Sequence, residues 1–202
     1  MALARQDSQQ LRAVEYSQLL IERHNLGDRV ARLQSVLDWL GDSVQAVSPV
    51  YETTAWGGVE QGPFLNAVLI ADDPTLDGHG WLSRAQEMEQ AADRVRGQRW
   101  GPRTLDVDLV SCYLTSLNGD TELFSLDDGL TLPHPLAHLR AFVLIPWLAM
   151  DPNAELSIAG GKQPVAKLLA ELDPADRAGV QLTGWVLERR TDGTETDSAP
   201  QS

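Results

Sequence analysis

The chain is poor in several things, and each shortage narrows what it can be. It has one cysteine, Cys112, in 202 residues, so no internal disulfide can brace it. Basic residues are scarce: 16 Lys and Arg stand against 29 Asp and Glu, a formal net charge of -13. Such a balance argues against nucleic acid or an anionic membrane as partner, because no broad basic face is available. No apolar run approaches the length of a membrane-spanning helix. The opening "MALARQDSQQLR" lacks the apolar core of a secretory signal, and a cytoplasmic protein is expected. The glycine motifs of nucleotide binding are missing as well: there is no G-x-x-x-x-G-K-[ST], no G-x-G-x-x-G after a strand, and no protein-kinase set. "WGGVEQG" is glycine-rich but does not open a helix. Phosphate binding, if present, must come from side chains and metal.

What remains is ordinary globular material. Hydrophobic residues make up 43% and charged residues 22%, and the length suits one domain with a real core. Helical spacing of Val30, Leu33, Val36, Leu37 and Leu40 predicts a helix, with Asp28 as its cap and Gly41 as its stop. "VQAVSPVYET" and "FLNAVLIA" read as strands joined by the loop "TAWGGVEQGP". A helix starting near Gly80 carries Trp81, Ala85, Met88 and Ala92 on one stripe. "TLDVDLVSCYL" is the next strand and "LNGD" a turn. "LAHLRAFVLIPWLAMDP" and "PVAKLLAEL" read as helices, and the last residues have a disordered composition. Strands interleaved with helices predict an α+β sandwich, helices packed on a sheet.

The chemistry concentrates in "RWGPRTLDVDLV", Arg99 to Val110. Leu105 to Leu109 alternate strictly, which is the signature of a strand. Asp106 and Asp108 then share one face, with Cα atoms about 6.6 Å apart. Taken alone such a pair could decorate a solvated sheet. Its flanks argue otherwise, because Asp is disfavoured in strands and Arg94, Arg96, Arg99 and Arg103 lie just upstream. Carboxylates that hold Mg²⁺, beside arginines that grip phosphate, form a phosphoryl-transfer constellation. Other candidates carry no such signal by themselves. Phe64 and Phe142 sit in apolar runs and read as core. Gln86 and Glu89 read as a solvated helix face, His134 as a loop histidine, and His79 and His138 as surface.

"VYETTAWGGVEQGPFLNAV", "RVRGQRWGPRTLDVDLV" and "LPHPLAHLRAFVLIPW" together resemble the 6-hydroxymethyl-7,8-dihydropterin pyrophosphokinase family, in order, over residues 25 to 172. The resemblance implies a ferredoxin-like α+β fold, usually monomeric, with an antiparallel sheet. It implies transfer of pyrophosphate from ATP to the pterin hydroxymethyl group, releasing AMP. Two Mg²⁺ ions would fall on Asp106 and Asp108. The pterin would lie between Phe64 and Phe142, read at its edge by Asn66, with backbone near Thr53 and Trp56. The ATP side would comprise Gln86, Glu89, Arg94, Arg96, Arg103, Thr131, His134 and Arg140, with Trp100 in a closing loop. Residues 1–16 would be an extra N-terminal segment, 17–187 the catalytic domain and 188–202 a disordered tail. The chain departs from the family pattern where Arg23 and His24 replace the usual Gly-Ser, and where Ala55 replaces a proline. "LRAVEYSQLLIERH" has the content of a helix where the fold needs a central strand. Two other readings use the same residues: a metal-dependent phosphohydrolase, and a binding protein without turnover.

Overall fold

Leu33, Val36, Leu37 and Leu40 line one stripe of a helix, and all four are buried. They belong to α1 (Leu26–Leu40), which ends where Gly41 takes a left-handed φ of 52°, a conformation glycine adopts without a steric penalty. Asp28, expected as its cap, falls inside the first turn. The computed structural model describes residues 8–18, 26–53, 63–92, 105–116, 119–127 and 129–189.

Before α1 runs β1 (Ser8–Gln18), and after it β2 (Val44–Val47) and β3 (Tyr51–Thr53). The single strand expected over "VQAVSPVYET" is thus two, broken around Pro49, which cannot donate to a ladder. β4 (Phe64–Asp72) follows. Helix α2 (Gly78–Ala91) starts two residues before Gly80, capped by Asp77, whose carboxylate accepts the Gly80 amide at 2.7 Å. Next come β5 (Asp106–Ser116) and β6 (Gly119–Glu122), paired as a hairpin across the predicted "LNGD" turn. A small ribbon, β7 (Ser125–Leu126) with β8 (Thr131–Leu132), leads to a 3-10 turn over Ala137–Leu139 and helix α3 (Ala141–Met150). The chain closes with the hairpin β9 (Glu155–Ile158) and β10 (Gly161–Pro164), then α4 (Val165–Glu171), α5 (Pro174–Ala178) and β11 (Val180–Leu182).

The main sheet has the order β11-β3-β4-β1-β5-β6, with β2 also on β4, and every pairing in it is antiparallel. β1 therefore lies at the centre. This corrects the expected domain boundary: residues 8–16, set apart above as an extra segment, belong to the central strand. The helix-forming content of "LRAVEYSQ" is overridden because β4 and β5 offer hydrogen-bonding edges on both sides, and propensity is weak against such pairing. Arg23, His24 and Ala55 lie outside the described residues.

Alternation along β4 divides the interior in two. Leu65, Ala67, Leu69 and Ala71 meet α1 and α2, through Leu33, Leu37, Trp81 and Met88. Val68 points the other way, onto Val143, Leu144 and Trp147 of α3 and Val165 and Leu168 of α4. The result is an α+β sandwich with helices on both faces of an antiparallel sheet. Cys112 is buried in the first of these cores, and burial pushes its thiol up to about 12. Among the described residues no helix is long and apolar enough to cross a membrane.

The β7–β8 ribbon is fastened to the start of α2. A Cβ at Gly78 would stand 3.0 Å from a methyl of Leu130, so a bare glycine lets the ribbon approach closely. Asp127 organises the turn. Its carboxylate accepts the Gly129 and Leu130 amides at 3.1 and 2.9 Å, accepts the Ser125 hydroxyl at 3.0 Å, and pairs with His79 at 2.9 Å. His79, read as a surface residue, is exposed, and its partner lies 48 positions away. Those hydrogen bonds, the Gly129 amide first, hold the Asp127 carboxyl down at about 2, below its ordinary 3.8. A carboxyl depressed on folding contributes stability above its unfolded pKa and loses that contribution as pH falls through its folded pKa. The gap in melting temperature between the parent and Asp127→Ala should therefore be constant above about pH 5 and close as pH falls from 3.8 toward about 2. A gap that persists at pH 2 would mean that the carboxylate is not its source.

Candidate active site

The strand register brings distant stretches of sequence together. Tyr51 stands opposite Asn66, Asn66 opposite Ser17, and Ser17 opposite Asp106. One row on, Val68, Glu15 and Asp108 align. Directly opposed residues share a face, so Asn66, Asp106 and Asp108 lie on the α3 side of the sheet. Asn66 and Asp106 are two strands apart, about 10 Å at roughly 4.8 Å per strand. Asn66 is buried and donates its amide to the Thr53 hydroxyl at 3.0 Å. Thr53 pairs with Phe64 in the register, and Phe64 is half-buried at the head of β4.

The carboxylates meet a cation. Arg140 donates to Asp108 at 3.1 Å, and its guanidinium lies 5.7 Å from the centre of the Phe142 ring. Arg140 directly precedes α3, and no side chain caps that helix. Pro146 inside α3 removes the amide that would otherwise reach the Phe142 carbonyl. Asp106 is almost wholly buried, whereas Asp108 keeps about a third of its side chain exposed (32%).

His134 completes the group. Its amide donates to the Val110 carbonyl at 2.8 Å, and its Nδ1 accepts the Leu136 amide at 3.1 Å. Val110 is free to take that bond because the register passes from Leu109 to Ser111 around it, the mark of a bulge. Burial, and then the Arg140 charge, hold the imidazole below its usual pKa, partly offset by Asp108 and Asp106. The ring is neutral at neutral pH. With Nδ1 accepting, its proton sits on Nε2, so His134 offers a donor without a full charge. Thr131, on β8, is half-buried three residues before it.

Glu89 behaves unlike a solvated residue. It is buried, and its Oε1 accepts the Val107 amide at 3.0 Å. β6 covers only the far half of β5, from Tyr113 to Ser116, and among the described residues no strand pairs with the outer edge around the two aspartates. Glu89 closes that edge between them. Gln86, one turn earlier, is exposed. Trp56, Arg94, Arg96, Arg99, Trp100 and Arg103 lie outside the described residues. The sequence reading missed Arg29, a buried arginine of α1 that reaches Pro63 and Glu52. Among the described residues its partners are a backbone carbonyl 34 positions away and a half-buried glutamate, so nothing local marks it.

The donor set fits Mg²⁺. Among the described residues no group of three or more His, Cys, Asp or Glu could hold a metal ion. Two carboxylates on one face match the way Mg²⁺ is held, by one or two carboxylates with substrate phosphates and water completing the shell. An arginine and a neutral histidine donor beside them suit a polyphosphate.

Comparison with known proteins gives the same direction. A sequence model of the family "7,8-dihydro-6-hydroxymethylpterin-pyrophosphokinase (HPPK)" matches residues 24–152. The 2-amino-4-hydroxy-6-hydroxymethyldihydropteridine pyrophosphokinase of Mycobacterium tuberculosis (strain ATCC 25618 / H37Rv) is 66% identical over 159 residues, 78% of this chain and 85% of that protein. The protein of the same name from Mycobacterium leprae is 58% identical over 180 residues, 88% of this chain and 94% of that one. Among solved structures, Plasmodium falciparum HPPK-DHPS, crystallised with pterin and p-hydroxybenzoate, superimposes with a TM-score of 0.53 at 9% identity, over 84% of this chain and 42% of that one. At that identity the likeness speaks for the fold alone.

The Glu89 contact yields a stability test. Glu89→Ala leaves the buried Val107 amide without this acceptor and should cost about 1–3 kcal/mol in urea unfolding, whereas Glu89→Gln keeps an acceptor and should cost less. Equal losses in the two variants would count against the contact.

Proposed function

The chain belongs to the 7,8-dihydro-6-hydroxymethylpterin-pyrophosphokinase family, and from that membership we propose how its own residues carry the reaction. The enzyme transfers pyrophosphate from ATP to 6-hydroxymethyl-7,8-dihydropterin and releases AMP, a step of folate biosynthesis. The hydroxymethyl oxygen attacks the β-phosphorus, the bond from that phosphorus to the oxygen shared with the α-phosphorus breaks, and the hydroxyl proton is lost.

The observation that carries the reading is the pairing of Asp106 and Asp108 on one sheet face with Asn66, two strands away, on the same face. Asn66 can donate and accept at once, which suits an aminopyrimidinone edge. Phe64 and Phe142 are the rings for the flat heterocycle, which gains from offset stacking; Thr53 lies beside Phe64 in the register, and Trp56 is assigned to the same substrate. The spacing of roughly two strands leaves room for the hydroxymethyl group to reach phosphates held near the carboxylates. On the phosphate side, His134 donates from Nε2, and Thr131, Gln86 and Arg140 line the wall. Arg140 also holds Asp108 in place, and Glu89 holds the strand that carries both carboxylates. Arg94, Arg96 and Arg103 supply further positive charge, and Trp100 is assigned to the ATP side with them. Asp106 and Asp108 hold two Mg²⁺ ions together with ATP, which neutralise the charge of the transferred group. The enzyme works as a monomer in the cytoplasm.

Asp106→Asn and Asp108→Asn should each lower turnover by on the order of a hundredfold or more while leaving the melting curve near that of the parent. The measurement is AMP release from ATP and Mg²⁺, with and without 6-hydroxymethyl-7,8-dihydropterin. AMP that forms equally without the pterin would replace this reading with phosphohydrolysis, and near-full activity in either variant would remove the metal assignment.

A further inference from the structure

Arg29 is an unusual residue to bury. Only 5% of it is exposed, in a helix face that otherwise contributes leucine and valine to the core. Burying a guanidinium is costly unless it is paired and hydrogen-bonded, so the contacts it makes show what it is for. Its Nη1 donates to the Pro63 carbonyl at 2.5 Å, and its Nη2 lies 3.7 Å from the Glu52 carboxylate. The two contacted residues are 11 positions apart in sequence but adjacent in space. Glu52 immediately precedes Thr53, and Pro63 immediately precedes Phe64. Thr53 and Phe64 are themselves register partners, and Thr53 holds the Asn66 amide at 3.0 Å.

We infer that Arg29 is a positioning residue for the pterin side of the site: it grips the chain on both sides of the Thr53–Phe64 pair and so fixes the ring of Phe64 and the amide of Asn66. The inference rests on the assignment of Phe64 and Asn66 to the pterin. A planar fork is needed, because one donor must reach a carbonyl while another faces a carboxylate on a different strand. Lysine, a single point of charge on a flexible stem, cannot do both in fixed geometry. The grip lies at β3 and β4, away from the His134–Arg140–Asp108 cluster, so the effect is confined to one substrate.

The test measures KM for pterin, KM for ATP, kcat and melting temperature on the full chain with Mg²⁺. Arg29→Lys should raise the pterin KM roughly tenfold or more, as small displacements of positioning groups do, and leave the ATP KM unchanged. Glu52→Ala removes the carboxylate contact from the solvent side. It should move the pterin KM in the same direction by less. Should Arg29→Lys fail to fold, Glu52→Ala carries the decision. Lower melting temperatures with both KM values unmoved would overturn the inference and leave Arg29 a purely structural residue. Phe64→Ala separates the two levels. If it raises the pterin KM while the Arg29 and Glu52 variants do not, the inference alone fails. If it leaves the pterin KM unmoved, the pterin assignment fails and the inference with it.

Discussion

The register of β1 between β4 and β5 is the constraint on which the site depends. Side chains alternate with a period of two, so a slip of one residue in either pairing would turn a whole strand over. Asn66 would leave the face of Asp106, or the two aspartates would point into the core now filled by Val107 and Leu109. β4 cannot slip cheaply, because both of its faces are packed. The bulges that interrupt β1's pairing near Leu11 and Ala13 fall at the other end of the strand. The stretch from Val14 to Ser17 keeps unbroken register with both neighbours. Regular pairing is thus placed where alignment of functional residues matters.

Around that frame, polar side chains are used to finish backbone that the sheet leaves open. Glu89 takes the Val107 amide and Asp127 takes the Gly129 and Leu130 amides. His134 gives its own amide to Val110 while its ring receives the Leu136 amide. In each case a group that could titrate or bind is oriented by main-chain atoms, which move less than side chains. His134 shows the benefit most directly: a hydrogen bond to Nδ1 decides which nitrogen faces the site. Arg140 works through side chains instead, bridging Asp108 to the face of Phe142.

The parts of this arrangement that sequence revealed are those governed by local periodicity. The alternation of Leu105, Val107 and Leu109 gave β5 and the shared face of Asp106 and Asp108, because one face of that strand is core and the other is chemistry. The stripe of α1 and the stop at Gly41 were equally plain. β1 was not, since its residues favour a helix in isolation and only its neighbours make it a strand. The hairpin of β9 and β10 passed unnoticed although Gly160 and Gly161, both at positive φ, marked its turn. Glu89 and Arg29 were illegible for a different reason. Their partners are backbone groups far along the chain, and no pattern of side chains encodes a contact of that kind. Phe64, Asn66, His134 and Phe142 became candidates only through resemblance, since by spacing each is an unremarkable residue.

The lone thiol has a practical meaning. Cys112 is fully buried and remains protonated until about pH 12, so the native protein presents the solvent with no reactive sulfur from it. A cysteine introduced at an exposed position would be the one site open to a maleimide dye or a nitroxide, with no need to remove the native one and disturb the core around it. Such a label on the β7–β8 ribbon, at the exposed Leu126, would report the mobility and surroundings of that ribbon as nucleotide is added. The chain is in this sense already prepared for spectroscopy.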